Sequence, residues 1–451
     1  MLKMSKIKVG LLGLGTVGTG VYKTIALQQD KIEKRIGREI EIVKVLVRNI
    51  DKERNVKIDK QLLTTSFEEV LEEDVDVLIE VMGGVEPTFD YIYEAFKKGC
   101  HVVTANKELL AKRGKELVKL ANFFGRHFYY EASVAGGIPI LGVLRQLLQT
   151  NNVEEIYGIL NGTTNYILTQ MENHHVPYEQ VLKEAQELGY AEADPTSDVE
   201  GFDAMYKLYI LSQLVYGEAP EYTKIPRQGI SNISLTEVKL AGDLGYRFKL
   251  LAAAKKSGDS LDLQVRPTIV SIDHPLAQIS DAFNAVFLKG NIVGDLLFSG
   301  KGAGEFPTAS AVVEDLTFLL TQDNKSQPEW KHTKDEPSGN GVLPTVTESL
   351  NKEELAFLYI DTQQKDLSIL YQILDKLDHY HLTLQQVQTT DKNSGDHIGI
   401  ALVLQGDTTS FVQYLTTELK LTTKQYEIIQ TEALQNTSAA QKKGNPQTVN
   451  L

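Results

Sequence analysis

Residues 6–18 have the sequence KIKVGLLGLGTVG, and this stretch decides the fold of the N-terminal part of the chain. An apolar run with strand character leads directly into a glycine cluster, and a helical pattern follows from about residue 17 to 34. In that setting the first glycine permits a tight turn, the second lets a pyrophosphate approach the backbone, and the third lets the helix pack on the strand. The motif predicts a dinucleotide site, and a glycine-rich turn without a ligand is the alternative. Its residues are Gly13, Leu14, Gly15, Thr16, Val17 and Gly18.

The rest of the N-terminal region continues this alternation of β-rich and helical patterns. Further strands are predicted at residues 39–47, 75–81, 101–104 and 126–131, and a helix at 107–124. Alternating strands and helices are typical of a parallel sheet with helices on both faces. We therefore predict an α/β fold, with a Rossmann-type doubly wound parallel sheet in residues 1–140.

Beyond residue 140, the patterns predict a second domain, a linker, a small C-terminal module and a tail. Residues 141–320 mix helical and β-rich segments and are expected to form an α+β domain for substrate binding, catalysis and dimerisation. The polar residues 321–352, with prolines and glycines, indicate a linker. The order strand, helix, strand, strand, helix, strand in residues 353–435 fits a small ferredoxin-like module. Residues 436–451 are expected to form a disordered tail.

Composition limits the classes of partner. The 451 residues carry a formal net charge of -14 at pH 7, which argues against nucleic acid or an anionic membrane, because both need a basic surface. The single cysteine, Cys100, allows no disulfide within the chain and fits a reducing cytoplasm. Neither a signal peptide nor a membrane-spanning run is expected. The nine histidines are scattered, so no structural zinc site is expected.

The end of the second strand bears on the choice of cofactor. An acidic residue at this position accepts a hydrogen bond from the 2′-hydroxyl of NAD, whereas an arginine suits the 2′-phosphate of NADP. Arg48 and Asn49 follow Val47 here. NADP(H) is therefore favoured, while the nearby Asp51 keeps NAD(H) as the alternative. Arg48 could also be a solvated arginine at a strand end.

Polar segments follow two other predicted strands. TANK, residues 104–107, stands at the carboxyl end of a strand, where open α/β sheets bind ligands. Lys107 is therefore a candidate to face cofactor and substrate, and a capping or surface lysine is the alternative. NGTTNY, residues 161–166, precedes an apolar helical run. Asn161 and Thr163 mark a helix start whose N–H groups can bind a substrate carboxylate, although an ordinary N-cap has the same pattern.

A run of carboxylates enters a helix at residues 191–207, AEADPTSDVEGFDAMYK. Asp203 and Lys207 are four residues apart, so they lie on one helix face and can pair. Alone, such a pair is more often a surface salt bridge. Clustered with Glu192, Asp194 and Asp198, it is a candidate pocket for an ammonium group beside a proton-donating lysine.

Together, these segments resemble the homoserine dehydrogenase family. GLGTVG, TANKELLA, EASVAGGIPI, NGTTNYIL, YAEADPTSDVEGFDAMYK and KGAGEFPTASAVVED occur in the family's order from residue 7 to about 320. The long acidic-to-lysine segment and the NGTTN segment are specific to this family. The resemblance implies a cytoplasmic enzyme that reduces L-aspartate 4-semialdehyde to L-homoserine, and the reverse, on the branch leading to threonine, methionine and isoleucine.

The resemblance also implies roles for individual residues. Lys207 would be the general acid and base, Lys107 would assist at the reacting oxygen, and Asp203 would orient the lysine pair. Glu192 would hold the substrate ammonium group, with Asp198 lining the same pocket.

Two loops are assigned by the resemblance as well. Gly304, in the KGAGE loop, would approach the nicotinamide end of the cofactor. The family carries a monovalent cation, usually sodium, on backbone oxygens, and a hard cation prefers oxygen ligands. Without the resemblance, this second loop, EASVAGGIP, indicates only a strand-to-helix turn. The matching cation residues are Glu131, Val134, Gly136 and Ile138.

The C-terminal module resembles the ACT-type regulatory domain that many family members carry. An amino-acid effector would bind there, and the module could pair homodimers into homotetramers. The family's proline–glycine pair is absent from residues 361–370, DTQQKDLSIL. A dimerisation or structural module is therefore the alternative to an effector-binding one.

Two other functions compete with the dehydrogenase. Aspartate-semialdehyde dehydrogenase acts on the same substrate through a thioester and needs a nucleophilic thiolate, but Cys100 lies between a helix end and a strand, where a buried thiol is expected. A non-catalytic NADP-sensing regulator would keep the dinucleotide domain. It would have no use for Lys107, Asp203 and Lys207 together.

Overall fold

The structure, a computed structural model, describes residues 6–217, 219–321, 355–363, 368–390 and 397–430. The predicted linker beyond residue 321 and the predicted tail at 436–451 lie outside the described residues. Within the described residues, no helix combines the length and apolar character needed to cross a bilayer.

The N-terminal region forms a six-stranded parallel sheet with the strand order β3-β2-β1-β4-β5-β6. Its strands are β1 (Ile7–Leu12), β2 (Ile40–Leu46), β3 (Leu63–Thr64), β4 (Val77–Glu80), β5 (His101–Thr104) and β6 (Phe128–Tyr129). Its helices are α1 (Thr16–Leu27), α2 (Gln29–Ile36), α3 (Phe67–Glu72), α4 (Thr88–Lys98) and α5 (Lys107–Phe123). The order reverses between β1 and β4, which is the topological switch point where such sheets bind dinucleotides. The predicted α/β Rossmann-type fold is confirmed.

The helix predicted at residues 17–34 is two helices, which was not expected. The backbone leaves helical geometry at Gln28, with φ −110° and ψ 13°, and α2 starts at the next residue. Residues 26–31 are all exposed. Their side chains face solvent, and Gln29 Nε2 donates to Glu39 Oε1 at 3.2 Å, so little buried packing holds the two segments on one axis.

The remainder of the described chain builds a nine-stranded sheet with the order β11-β10-β7-β8-β9-β15-β12-β14-β13. Its first strands are β7 (Val153–Ile159), β8 (Tyr246–Ser257), β9 (Ser260–Ser271), β10 (Phe283–Gly290) and β11 (Gly294–Lys301). The helices of this region are α6 (Ile140–Leu147), α7 (Gly162–His174), α8 (Tyr178–Glu187), α9 (Thr196–Val199), α10 (Phe202–Tyr216), α11 (Leu235–Asp243) and α12 (Glu305–Thr321). The apolar residues of β7 and β8 are buried in the core, among them Ile156 and Ile159 of β7 and Leu250 and Leu251 of β8.

The C-terminal strands belong to the same nine-stranded sheet. They are β12 (Leu355–Thr362), β13 (Thr383–Thr389), β14 (Ile398–Gln405) and β15 (Thr422–Ile429), with helices α13 (Ser368–Lys376) and α14 (Thr409–Thr417). β15 pairs in parallel with β9 through Ile428 and Ile429. Glu427 strengthens this junction, because its carboxylate lies 2.9 Å from Lys255 Nζ and 2.7 Å from Arg266 Nη2.

Helix α12 returns to the dinucleotide-binding sheet and packs on α1. Val312 and Leu316 lie in the same buried cluster as Val21 and Ile25. The close approach depends on Gly20, because a Cβ there would lie 2.3 Å from the carbonyl oxygen of Glu305.

We expect Gly20→Ala to lower the free energy of unfolding by about 1–3 kcal/mol, because the added methyl group forces α1 and α12 apart. Thermal unfolding would measure the loss. Gly242→Ala is the matched control, since a Cβ there meets no heavy atom within 4 Å. It should be neutral or stabilising by about 0.4–1 kcal/mol. Equal midpoints for the two variants would contradict the helix contact.

Candidate active site

The three motif glycines have different surroundings. Gly13 has φ +100°, and a Cβ on Gly18 would lie 2.1 Å from the Gly13 carbonyl oxygen. These two glycines are therefore required by the turn itself. Gly15 is exposed and has no heavy atom within 4 Å of the place where its Cβ would be. The open space at Gly15, at the N-terminus of α1, suits a pyrophosphate, because backbone N–H groups there have no helical partner.

Two lysines from different parts of the fold meet at one buried carboxylate. Lys207 and Asp203 lie one turn apart on α10, and Lys207 Nζ donates to Asp203 Oδ2 at 2.7 Å. Lys207 Nζ also donates to the carbonyl oxygen of Leu160 at 2.7 Å. Lys107, the first residue of α5, places Nζ 2.5 Å from Asp203 Oδ1. The Lys107 side chain is 42% exposed and that of Lys207 only 10%, so Lys107 is the more accessible of the two lysines to a ligand from solvent.

Asn161 and Thr163 orient the neighbouring carboxylates. Asn161 Nδ2 donates to Asp198 Oδ1 at 2.7 Å and to Asp203 Oδ2 at 2.9 Å. Its Oδ1 caps α7 by accepting the N–H of Thr164 at 2.8 Å. The Thr163 hydroxyl donates to the Tyr190 carbonyl oxygen at 2.6 Å and lies 3.4 Å from Asp198 Oδ2. The capping expected for this segment is thus present, and both side chains are buried.

The charges in the cluster set different proton affinities for the two lysines. Burial lowers the pKa of Lys207 below its ordinary value, against the pull of Asp203. The charge of Asp203 raises the pKa of Lys107. Although burial alone would raise the pKa of Asp203, the two ammonium groups hold it well below its usual range. Burial, followed by repulsion from Asp203, raises the pKa of Asp198. The arrangement places a lysine whose pKa is lowered beside one whose pKa is raised.

Glu192 stands at the rim of this cluster. It is exposed, and its charge contributes to raising the pKa of Lys107. Its backbone carbonyl accepts a hydrogen bond from Gln186 Nε2 at 3.0 Å, which holds the loop in place. The carboxylate is therefore available to a ligand in the cleft.

Comparisons with known proteins show the family of this chain. A family model described as the NAD binding domain of homoserine dehydrogenase matches residues 13–131, and one described as homoserine dehydrogenase matches residues 139–317. Homoserine dehydrogenase of Bacillus subtilis (strain 168) is 47% identical over 318 residues, which cover 70% of this chain and 73% of that protein. The chain belongs to the homoserine dehydrogenase family.

Solved homoserine dehydrogenases share the fold over almost the whole chain. A crystal structure from Thiobacillus denitrificans has a TM-score of 0.78 at 35% identity and covers 94% of this chain and 98% of that one. A structure from S. aureus at pH 6.5 has a TM-score of 0.74 at 33% identity and covers 95% and 100%. As a member of this homoserine dehydrogenase family, the protein is an NAD(P)-dependent oxidoreductase.

Residues 131–138 form the loop that the family resemblance assigned to sodium. Some of its backbone carbonyl oxygens accept hydrogen bonds and others do not. Those of Glu131 and Ile138 each accept a backbone N–H, at 3.4 Å and 2.8 Å. Among the described hydrogen bonds, none ends on the carbonyl oxygens of Val134 or Gly136. The Glu131 carboxylate caps α6 through the N–H groups of Leu141 and Gly142, both at 2.7 Å. Backbone oxygens without donors in a fixed loop fit a hard cation.

This loop is fixed against the KGAGE loop. Gly136 has φ +54°, and a Cβ there would lie 2.2 Å from the carbonyl oxygen of Gly302. Gly137 N–H donates to the Lys301 carbonyl oxygen at 3.0 Å. Gly304, with φ +124°, directly precedes α12. In the part of the chain that the structure describes, no group of His, Cys, Asp and Glu side chains is arranged to hold a metal ion.

Arg48 lies just beyond β2 and is exposed. The loop that follows it is organised by Arg54, which sequence analysis did not single out. Arg54 donates to the carbonyl oxygens of Asn49, Ile50 and Lys52. Asp51, considered for an NAD ribose, instead pairs with Lys60 at 3.1 Å on the surface.

Two further buried polar residues near the site were missed. Asn284, on β10, donates from Nδ2 to the Leu160 carbonyl oxygen at 3.0 Å, the same oxygen that Lys207 uses. No local pattern in the sequence singles it out. Glu80 is fully buried at the end of β4. A carboxylate that closes an apolar strand, VLIE, was a signal that could have identified it.

Proposed function

We propose that the enzyme catalyses the NAD(P)H-dependent, reversible reduction of L-aspartate 4-semialdehyde to L-homoserine, on the cytoplasmic branch leading to threonine, methionine and isoleucine. The observation that carries this proposal is the meeting of Lys107 and Lys207 at Asp203 across the cleft. An oxygen that gains negative charge between two ammonium groups is stabilised where the charge appears. A non-catalytic NADP sensor has no need of this arrangement.

Lys207 is proposed as the proton donor and acceptor. Bound nicotinamide cofactor supplies or accepts a hydride at C4. In the reduction, Lys207 Nζ gives a proton to the developing alkoxide, and in the oxidation it takes the hydroxyl proton back. Its lowered pKa favours both roles, because a catalytic group works best when its pKa is near the operating pH. Lys107 stays charged and steadies the oxygen, and Asp203 holds both lysines.

The carboxylates around the cleft are proposed to hold the amino-acid part of the substrate. Exposed Glu192 would pair with the substrate ammonium group, and Asp198 would line the same pocket. Asn161 and Thr163 fix Asp198 by hydrogen bonds. They would act on the substrate through that carboxylate and through the start of α7.

A monovalent cation, with sodium as the candidate, is proposed for the loop of Glu131, Val134, Gly136 and Ile138. The donor-free carbonyl oxygens of Val134 and Gly136 support this proposal. The cation would hold the loop that joins the dinucleotide-binding sheet to α6, and with it the KGAGE loop at Gly304. The nicotinamide end of the cofactor is expected beside that glycine.

The C-terminal strands are proposed to form an ACT-like module of ferredoxin-like topology. Their order β15-β12-β14-β13, with a helix after β12 and another after β14, supports this topology. An amino-acid effector would bind in this module. A homodimer is proposed as the basic unit, with pairing of modules into a homotetramer as the larger one.

The direct test is absorbance at 340 nm with purified protein, L-homoserine and sodium, with NADP or NAD in separate cuvettes. Homoserine-dependent formation of reduced cofactor is the expected result. Absence of turnover with either cofactor would contradict the proposal and favour a sensor. Acylating aldehyde dehydrogenase activity is not expected, because Cys100 is buried and donates to the Val75 carbonyl oxygen at 3.0 Å. Burial also raises the pKa of this thiol to about 11.

We expect Arg48→Ala to raise the KM for NADP about 10-fold and to leave the KM for NAD nearly unchanged, because only NADP offers a 2′-phosphate to the guanidinium group. Initial rates with each cofactor measure the two constants. Arg35→Ala, at another exposed arginine, is the charge-matched control. Equal effects of Arg48→Ala on both cofactors would contradict the proposed NADP preference.

A further inference from the structure

Glu80 is a buried carboxylate that the proposed mechanism does not use. Its Oε1 accepts the N–H groups of Met82 at 2.7 Å and Gly83 at 3.3 Å. Its Oε2 accepts the hydroxyl of Thr104 at 2.6 Å. Burial raises the pKa of Glu80, and the groups that oppose this rise are hydrogen-bond donors rather than cations. Burying such a group is costly, so we expect it to have a function.

The hydrogen bonds of Glu80 are part of a closed ring. Thr104 Oγ1, which donates to Glu80, accepts the N–H of Asn106 at 3.0 Å. Asn106 Nδ2 donates to the carbonyl oxygen of Gly84 at 2.6 Å. Gly84 follows the two residues whose N–H groups bind Glu80. The ring therefore joins the loop after β4 to the loop after β5.

This ring fixes the position of the backbone at Lys107. Asn106 Oδ1 accepts the N–H of Leu109 at 3.1 Å, so Asn106 is the N-cap of α5. Lys107 is the next residue, and its ammonium group must reach Asp203 across the cleft. The ring holds the backbone from which this long side chain starts.

The same ring lies at the edge of the sheet where the cofactor is expected. β4 is paired with β1 on one side and β5 on the other. Glu80 pairs with Leu12, the residue before the glycine motif, and with Thr104. In this fold, dinucleotides bind outside the carboxyl ends of the strands on either side of the switch point. The loop at residues 82–84 and Lys107 thus both border one crevice.

We propose that Glu80 is a positioning residue. It holds the loops after β4 and β5 together and thereby fixes the position of Lys107 relative to the cofactor and Asp203. This inference rests on the proposed function of Lys107. Glu80 itself touches no reacting atom. A buried hydrogen-bond ring is sensitive to the loss of any member, because the remaining groups cannot exchange their partner for water.

Glu80→Ala tests the proposal, with Glu80→Gln as the conservative variant. We expect Glu80→Ala to lower kcat for homoserine oxidation about 10–100-fold, because small misplacements of catalytic groups have effects of this size. The glutamine keeps an oxygen that accepts the N–H groups of Met82 and Gly83. Its amide N–H can donate to Thr104 Oγ1, which reverses the direction of that hydrogen bond but keeps the ring closed, so kcat should return to within about 3-fold of wild type. Fluorescence titration of NADP and a thermal melt establish that each variant is folded.

Thr104→Val and Thr104→Ser form a second pair of variants. They test whether the ring positions Lys107 even if Glu80→Ala does not fold. Valine has the shape of threonine without the hydroxyl, so the ring opens while the packing stays. Serine keeps the hydroxyl. A kcat that falls with valine and returns with serine supports the proposal. Wild-type kcat in Thr104→Val, with only a lower melting temperature, would overturn it and leave Glu80 a purely structural role.

The last arm repeats Thr104→Val in a Lys107→Met background. If the ring acts through Lys107, the valine substitution should lower kcat by less than about 3-fold there, because the two effects are not additive. If Thr104→Val lowers kcat by the same factor in the Lys107→Met background as in the wild type, the positioning role of Glu80 is overturned, while the proposed function of Lys107 is unaffected. If Lys107→Met itself has wild-type kcat, then the proposed function of Lys107 fails and the positioning proposal fails with it.

Discussion

Lys207→Ala should lower kcat for homoserine oxidation by about 10²–10⁴-fold, the usual contribution of a general acid–base group. The residue donates directly to Asp203 and to the Leu160 carbonyl oxygen, and only 10% of its side chain is exposed. Lys107 is a poor replacement for it as a base, because the charge of Asp203 raises the pKa of Lys107, whereas burial lowers that of Lys207. Cofactor affinity should stay nearly intact.

Steady-state rates at 340 nm and fluorescence titration of NADP measure the two quantities. Lys98→Ala, at an exposed lysine on α4, is the control and should behave as wild type. A variant of Lys207 with weak cofactor binding and normal kcat would contradict the proton-transfer role. In the wild type, homoserine oxidation should become faster as pH rises through the lowered pKa of Lys207, because the neutral amine is the base.

The second large effect is expected from Asp203→Asn. This carboxylate accepts hydrogen bonds from Lys207 and Asn161 and forms an ion pair with Lys107. Its replacement leaves the buried ammonium group of Lys207 without an anion, and the loss of one member of a buried ion pair costs about 3–5 kcal/mol. We expect that loss in the free energy of unfolding at pH 7, together with a large fall in kcat, because the lysines are no longer held.

The loss of stability in Asp203→Asn should depend on pH with a defined sign. Without Asp203, burial lowers the pKa of Lys207 further in the folded protein, while the unfolded chain keeps an ordinary lysine pKa. The folded state then binds fewer protons, so the stability of the variant rises with pH between those two pKa values. Urea unfolding at pH 7 and pH 9.5 measures the difference.

A Lys207→Met background separates this electrostatic loss from simple changes in packing. There, Asp203→Asn leaves no buried ammonium group uncompensated, and its effect on stability should be much smaller. An equal loss in both backgrounds would show that the Asp203–Lys207 pair does not govern the stability of α10.

Short-range patterns predicted the parts of the molecule in which neighbours in sequence are neighbours in space. The strand–glycine–helix order of residues 6–18 depends on strand and helix periods and on turn chemistry. The spacing of Asp203 and Lys207 likewise depends only on the helical repeat. These features could be predicted because each needs no more than a few consecutive residues.

Long-range contacts could not be derived from the residues alone. The resemblance to a family suggested that Lys107 and Lys207 act together, but no spacing in the sequence brings α5 to α10. The return of α12 to α1 and the pairing of β15 with β9 gave no advance signal of their own. The strand VLIE could have identified Glu80 as buried, but its hydrogen-bond partner Thr104 lies on another strand and could not be inferred from that pattern.

The sequence by itself determined the dinucleotide-binding fold, the glycine turn and the helix that carries Asp203 and Lys207. The tertiary structure alone decided that Lys107 meets Asp203 and that Glu80 joins two strand ends beside it. The physical reason is the range of the forces involved. Backbone geometry and turn chemistry act along the chain, whereas packing and buried charge pairing depend on which distant surfaces the whole fold brings together.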